Sequence, residues 1–243
     1  MRIIRTKDYE EMSERVADLI ASHVILDPQS ILGLATGSTP IGAYKRLAEL
    51  NREGKVDFSQ VETYNLDEYR GLANDHVQSY HYFMKENLFD HINIDQNNTH
   101  VPDGSNPDAE AACAEYDQMV EDAGYVDVQL LGIGNNGHIG FNEPADCFSK
   151  GTNCVDLTES TIQANSRLFE SIDEVPRQAY TMGVGTIMQA GMVIIAANGK
   201  AKAEAVHAMI EGPITPECPA SVLQLHPYCI VVADDEALSL CNL

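Results

Sequence analysis

Apolar positions recur along this chain in two alternating rhythms. A short run, RIIR, reads as a strand, and YEEMSERVADLIASHVI then places Met12, Val16, Leu19 and Ile20 on one helical face. The pair repeats in SILGLATGSTPIGAYKRLAEL: an apolar strand over Ile31 to Ala35, a turn of small residues, Pro40 near a helix start, and a helix carrying Tyr44 and Leu47. VETYNLDEY follows as a strand ending near Leu66, so Asp67 falls just past its end. SYHYFMKENLFDHI and DAEAACAEYDQMVEDAG read as helices, VDVQLLGIG as a strand, Thr152 to Leu157 as a further strand, and ESTIQANSRLFESI as a helix. The last third adds AYTMGV, GTIMQA and MVIIAA, the helix KAKAEAVHAMIEG and a final strand, YCIVVAD. Strands alternating with helices predict a Rossmann-like α/β domain, with a mostly parallel twisted sheet covered by helices on both faces. The 243 residues suit a single domain, and no repeat, low-complexity tract or linker divides them.

Ligands of open α/β sheets bind outside the carboxyl ends of the strands. Three segments fall at such positions: ATGSTP, NLDEY and GIGNNGHIGFNEP. In the first, the backbone N–H groups around Gly37 and the hydroxyls of Ser38 and Thr39 precede a helix, an arrangement that suits a phosphate and equally suits an ordinary helix cap. Neither a Walker A motif nor a complete G-x-G-x-x-G is present, so a nucleotide is not indicated. The third segment spends Gly132, Gly134, Gly137 and Gly140 where a simple strand-to-helix turn needs one or two, which suggests close approach of the backbone to a ligand. His138 can serve as acid or base near neutrality, and Glu143 can orient it. Asp67 has Glu68 beside it, and in an alternating strand one should point inward while the other faces solvent. An acidic helix cap is the competing reading of Asp67.

Charge sharpens the picture. Fifteen Lys plus Arg against thirty-seven Asp plus Glu give a formal charge of -22, a field that repels nucleic acid and anionic membranes. It also opposes an anionic small substrate, so a phosphate site requires local donors and a cation, for which Arg167 and Lys202 are candidates, with Lys200 competing. The six cysteines show no C-x-x-C pairing, which argues against zinc or disulfide frameworks. The N-terminus is acidic and amphipathic and no apolar run is long enough to span a membrane, so the expected compartment is the cytoplasm.

In order and across nearly the whole chain, LGLATGSTP, NLDEY, GIGNNGHIGFNEP, NSRLF, TMGVGTIMQA and LQLHP resemble the glucosamine-6-phosphate deaminases of the glucosamine/galactosamine-6-phosphate isomerase family. GHIGFNEP matters most, because the related 6-phosphogluconolactonases share a glycine-rich loop with a histidine but lack the Asn-Glu-Pro that here contains Glu143. The resemblance implies hydrolytic conversion of glucosamine 6-phosphate to fructose 6-phosphate and ammonia, with neither metal nor organic cofactor. It also implies roles: His138 opens the sugar ring, Asn136 and Glu143 support it, and Asp67 carries a proton between two carbons. Gly37, Ser38, Thr39, Arg167 and Lys202 match the phosphate site. A sugar-phosphate lactonase and a sugar-phosphate-sensing domain are the alternatives on the same fold.

Two departures stand out. Many members have aspartate where this chain has Asn136, and an amide can orient an imidazole but cannot neutralise an imidazolium, so Glu143 becomes the acidic partner. Allosteric hexameric members carry basic residues in the segment matching Asn153 and Val155 and extend further at the C-terminus. Their absence here leads to the expectation of a monomer without activation by N-acetylglucosamine 6-phosphate.

Overall fold

A computed structural model describes residues 1–166, 169 and 171–243. The strands are β1 (Arg2–Thr6), β2 (Ile31–Leu34), β3 (Glu62–Asn65), β4 (Asp67–Tyr69), β5 (Thr99–His100), β6 (Val128–Leu131), β7 (Asn153–Asp156), β8 (Gln178–Thr181), β9 (Met192–Ala197) and β10 (Cys229–Asp234). The α-helices are α1 (Tyr9–Leu26), α2 (Ile41–Arg52), α3 (Tyr80–Asn87), α4 (Ala109–Asp122), α5 (Glu159–Asn165), α6 (Val184–Ile187) and α7 (Ala203–Glu211). Seven strands form one sheet in the order β1-β10-β9-β6-β2-β3-β5, and every adjacent pair is parallel. The expected α/β architecture is therefore present.

Successive residues of a strand face opposite sides of a sheet, and both sides here are apolar. On β9, Val193 and Ile195 enter one core while Ile194 and Ala196 enter the other; on β10, Val231 and Ile230 divide in the same way. Met12 and Val16 of α1, Tyr44 and Leu47 of α2 and Met84 of α3 cover one face. Tyr116 of α4, Ile187 of α6 and Val206 of α7 cover the other. Asp8 starts α1 by accepting the N–H of Glu11, and Asp108 starts α4 by accepting that of Ala111.

A second sheet was not apparent from the periodicity. β4, β8 and β7 pair antiparallel, with Asp67 opposite Thr181 and Thr181 opposite Asn153. Only Leu66 separates β3 from β4, and its carbonyl accepts the N–H of Met182, 2.7 Å away. The run VETYNLDEY thus leaves the parallel sheet at Leu66 and enters the antiparallel one at Asp67. Among the described residues, no helix is long and apolar enough to cross a membrane.

Candidate active site

The strands β9, β6, β2 and β3 are neighbours and run the same way, so their carboxyl ends share one edge. Beyond β2 lie residues 35–40; beyond β6, residues 132–144; beyond β3, Asp67; and beyond β9, Lys202. Chain order reverses here, since β2 is flanked by β3 on one side and by β6 on the other. A crevice at such a point is where an open α/β sheet takes its ligand.

Two buried or half-buried phenols hold the loop after β2. The Tyr44 hydroxyl donates to the Ala35 carbonyl at 2.5 Å and accepts the Ala35 N–H at 3.2 Å. The Tyr9 hydroxyl donates to the Ser38 carbonyl at 3.0 Å and accepts the Gly42 N–H at 2.9 Å. Gly37 sits at φ +92°, in the left-handed region that glycine enters without a Cβ penalty. Gly37 and Ser38 are exposed, Thr39 is half-buried, and α2 begins at Ile41 after Pro40, a cap residue with no side-chain oxygen. The loop therefore offers hydroxyls and a positive helix end to an anion. Lys202 ends a short turn after β9 whose Gly199 N–H donates to both Asp234 oxygens, at 3.0 and 2.9 Å. Burial lowers the Lys202 pKa, which marks the ammonium as partly desolvated. Arg167 lies outside the described residues.

The glycines after β6 differ in purpose. A Cβ on Gly134 would stand 2.2 Å from His138 Cε1, so the imidazole rests directly on that glycine's backbone. The Gly134 N–H donates to the His138 carbonyl at 2.8 Å and closes the turn. Gly137 and Gly140 have φ of +86° and +59°, whereas a Cβ on Gly132 would meet nothing within 4 Å among the described residues. Asn142 anchors the far end of the loop by donating to the carbonyls of Ile139 and Met182, both at 2.9 Å.

Asn136 bridges the two chemical groups. Its Nδ2 donates to Glu143 Oε2 at 2.6 Å, and its Oδ1 lies 2.8 Å from His138 Nδ1. Glu143 Oε2 is 3.3 Å from the same Nδ1. Both neighbours of Nδ1 are acceptors, so the neutral imidazole carries its proton there and keeps the lone pair on Nε2. Burial tends to raise the Glu143 pKa, but hydrogen bonding and charge from His138, with the Asn136 amide and the Thr161 hydroxyl, bring it below the usual range. Glu143 is thus ionised where it can stabilise an imidazolium.

Asp67 and Glu68 correct one expectation: neither faces solvent, their residues being 6% and 1% exposed. β4 is the edge of its sheet, but α3 and the Gly104 backbone cover Glu68 and the glycine loop covers Asp67, so alternation returns neither carboxylate to water. Glu68 rather than Asp67 meets a helix start: Ser79 caps α3, and Glu68 accepts the first-turn N–H groups of Tyr80 at 2.9 Å and His81 at 3.0 Å, besides that of Tyr69 at 2.8 Å. Burial still outweighs these bonds and raises Glu68 to about 7. Asp67 lies against the glycine loop instead, with Oδ2 3.5 Å from where a Gly140 Cβ would stand. Burial, then the charge of Glu68, raises Asp67 to about 8. A carboxylate so perturbed is a much stronger proton acceptor than free aspartate.

The structure therefore brings Asp67, Asn136, His138, Glu143, the Gly37–Thr39 loop and Lys202 to one edge. Tyr9, Tyr44, Glu68 and Asn142 were missed as supports. Each acts across contacts of nine to forty residues, which no local spacing announces, and the apolar face containing Tyr44 was read as core only.

An edge of this kind, with titratable groups gathered at parallel strand ends beside a loop whose hydroxyls and helix end suit an anion, defines a Rossmann-like α/β protein with the layout of a small-ligand site. Comparison with known proteins narrows that class. Residues 7–230 match the family model described as glucosamine-6-phosphate isomerases/6-phosphogluconolactonase, and the chain belongs to that family. A glucosamine-6-phosphate deaminase of Clostridium perfringens (strain SM101 / Type A) is 55% identical over 240 residues, covering 99% of both chains. One of Halothermothrix orenii is 52% identical over 240 residues, covering 99% of this chain and 100% of its own. A solved structure described as a monomeric glucosamine-6-phosphate deaminase superposes with TM-score 0.95 at 44% identity, covering 99% of this chain and 100% of the other. A 6-phosphogluconolactonase from Thermotoga maritima, at TM-score 0.74 and 20% identity, covering 96% and 99%, shares the fold.

Proposed function

We propose that the protein converts glucosamine 6-phosphate and water to fructose 6-phosphate and ammonia. The observation that carries this reading is the presence of two separate proton-transfer groups along one sheet edge: His138 with its ionised partner Glu143, and the buried Asp67 on β4. Opening a lactone by water needs one base. An amino sugar needs two operations, ring opening and then proton transfer between neighbouring carbons, and the identity to named deaminases supports the second task.

In the first step His138 Nε2 takes the anomeric hydroxyl proton, Glu143 stabilises the imidazolium, and the imidazolium passes that proton to the ring oxygen as its bond to the anomeric carbon breaks. The open aldehyde acidifies the proton on the amine-bearing carbon. Asp67 removes it, the electrons shift to form an enolamine, and Asp67 returns the proton to the first carbon. Water adds to the resulting ketimine, and ammonia leaves. The Gly37–Thr39 loop, Arg167 and Lys202 hold the phosphate, which makes the compensation of the -22 background local.

The purified chain should release ammonia and fructose 6-phosphate from glucosamine 6-phosphate, release no ammonia from N-acetylglucosamine 6-phosphate, and leave 6-phosphogluconolactone at its spontaneous rate of hydrolysis. Lactone hydrolysis without ammonia release reverses the reading. Phosphate-ester binding without turnover of any of the three replaces it with a sensing function.

A further inference from the structure

Away from this edge, α7 and the C-terminal tail converge on a group of side chains that the proposed chemistry does not use. His207 and Glu211 are four residues apart on α7 and so share a face. Cys241 lies in the tail after β10, its N–H bonded to the Leu238 carbonyl at 3.0 Å. The tail is fastened where it meets the helix, because Asn242 donates to both oxygens of Glu211, from its backbone N–H at 2.6 Å and from Nδ2 at 2.9 Å. One ligand atom each from His207, Glu211 and Cys241 then fall within 4.8 Å of one another. His207 Nδ1 is shielded from water, has no hydrogen-bond partner among the described residues, and points toward Glu211 Oε2 at 3.7 Å.

We propose that His207, Glu211 and Cys241 form a binding site for a borderline-soft divalent ion, zinc in particular. Nitrogen, oxygen and sulfur donors together suit zinc and disfavour magnesium and calcium, which require several oxygens. Zinc bond lengths of about 2.0–2.3 Å put tetrahedral donors roughly 3.3–3.8 Å apart, so closure from the present spacing needs only small side-chain rotations. The thiol loses its proton to solvent on binding, and water completes the fourth position. No C-x-x-C is needed, because helix and tail supply the donors from distant parts of the chain. The ion would pin the tail to α7 as a structural clasp and takes no part in the sugar chemistry.

The test uses the full chain, reduced and stripped with EDTA, titrated with cobalt(II) as a spectroscopic probe and then with zinc. One cobalt per chain should bind with a thiolate-to-cobalt charge-transfer band that zinc abolishes, and Cys241→Ser should lose the band. His207→Gln should weaken binding by at least about 10–100-fold, the loss that even outer-shell partners cause. That variant matters because His207, unlike Glu211, does not fasten the tail, so loosening of the C-terminus cannot account for its effect. A wild-type chain without the band overturns the proposal, as does a band that survives in Cys241→Ser or unchanged affinity in His207→Gln. Ammonia release should be unaltered in Cys241→Ser, which separates this site from the proposed activity.

Discussion

At Gly134 a single methyl group decides whether His138 can keep its place. A Cβ there would be 2.2 Å from Cε1 and 2.3 Å from Nδ1, far inside contact distance, so Gly134→Ala must push the imidazole away from Asn136 and Glu143. Misplacement by about 1 Å costs about 10²-fold in rate, and that loss is expected in kcat with folding retained, as read by ammonia release and calorimetry on one preparation. Asp67 tests the other half of the chemistry. Asn preserves its volume and removes the base, so turnover in Asp67→Asn should fall by about 10²–10⁴-fold while inorganic phosphate, measured as a competitive ligand, binds nearly as before. Near-normal turnover removes Asp67 from the role. Asn136 is subtler: its Oδ1 orients His138 from 2.8 Å and its Nδ2 holds Glu143, whose charged Oε2 reaches the same ring nitrogen at 3.3 Å, so the amide sets the geometry and Glu143 supplies the charge.

Among the elements, α2 has two duties, since Tyr44 fills the core with its ring and fixes the Ala35 backbone with its hydroxyl. Tyr44→Phe leaves a buried N–H and C=O without that partner, a cost of about 1–3 kcal/mol. Phosphate affinity should fall with it, because the loop beyond Ala35 loses its anchor. Thermal melting and phosphate competition check the two effects, and a change in neither dissociates Tyr44 from the loop. The parallel sheet was legible because β6, β9 and β10 are short apolar runs separated by helical periods, and the site was legible because its motifs follow strands that prove adjacent. The β4-β8-β7 sheet was not, because a three-residue strand is too brief to show a period and its partners lie more than eighty residues away. Nor could alternation show that α3 would cover Glu68 and the glycine loop Asp67, which is why the expectation of one solvent-facing carboxylate failed.

For the molecule as a whole, Asn153 and Val155 contribute no charge to the approximately 280 Å³ cavity they line with Phe141 and Glu143. Hyperbolic kinetics, unchanged by N-acetylglucosamine 6-phosphate, and a monomeric mass in solution are the expected behaviour; sigmoidal curves relieved by that sugar contradict it. The buried carboxylates also tie stability to pH. Asp67 ionises near its ordinary 3.8 in the unfolded chain but at about 8 in the fold, through burial and then the charge of Glu68. Between those values the folded state binds more protons than the unfolded one, so the stabilising contribution is full below 3.8 and is lost as pH rises through about 8. Glu68, raised to about 7, acts in the same direction, and the observed titration belongs to the pair. The melting temperature should therefore decline with rising pH across this window, more steeply in the wild type than in Asp67→Asn. Over the same limb kcat/KM should rise, because the form of Asp67 that accepts a proton is the form the fold disfavours. Equal slopes in the two proteins would show that Asp67 already ionises at its ordinary pH, and the rise in kcat/KM would then belong to another group.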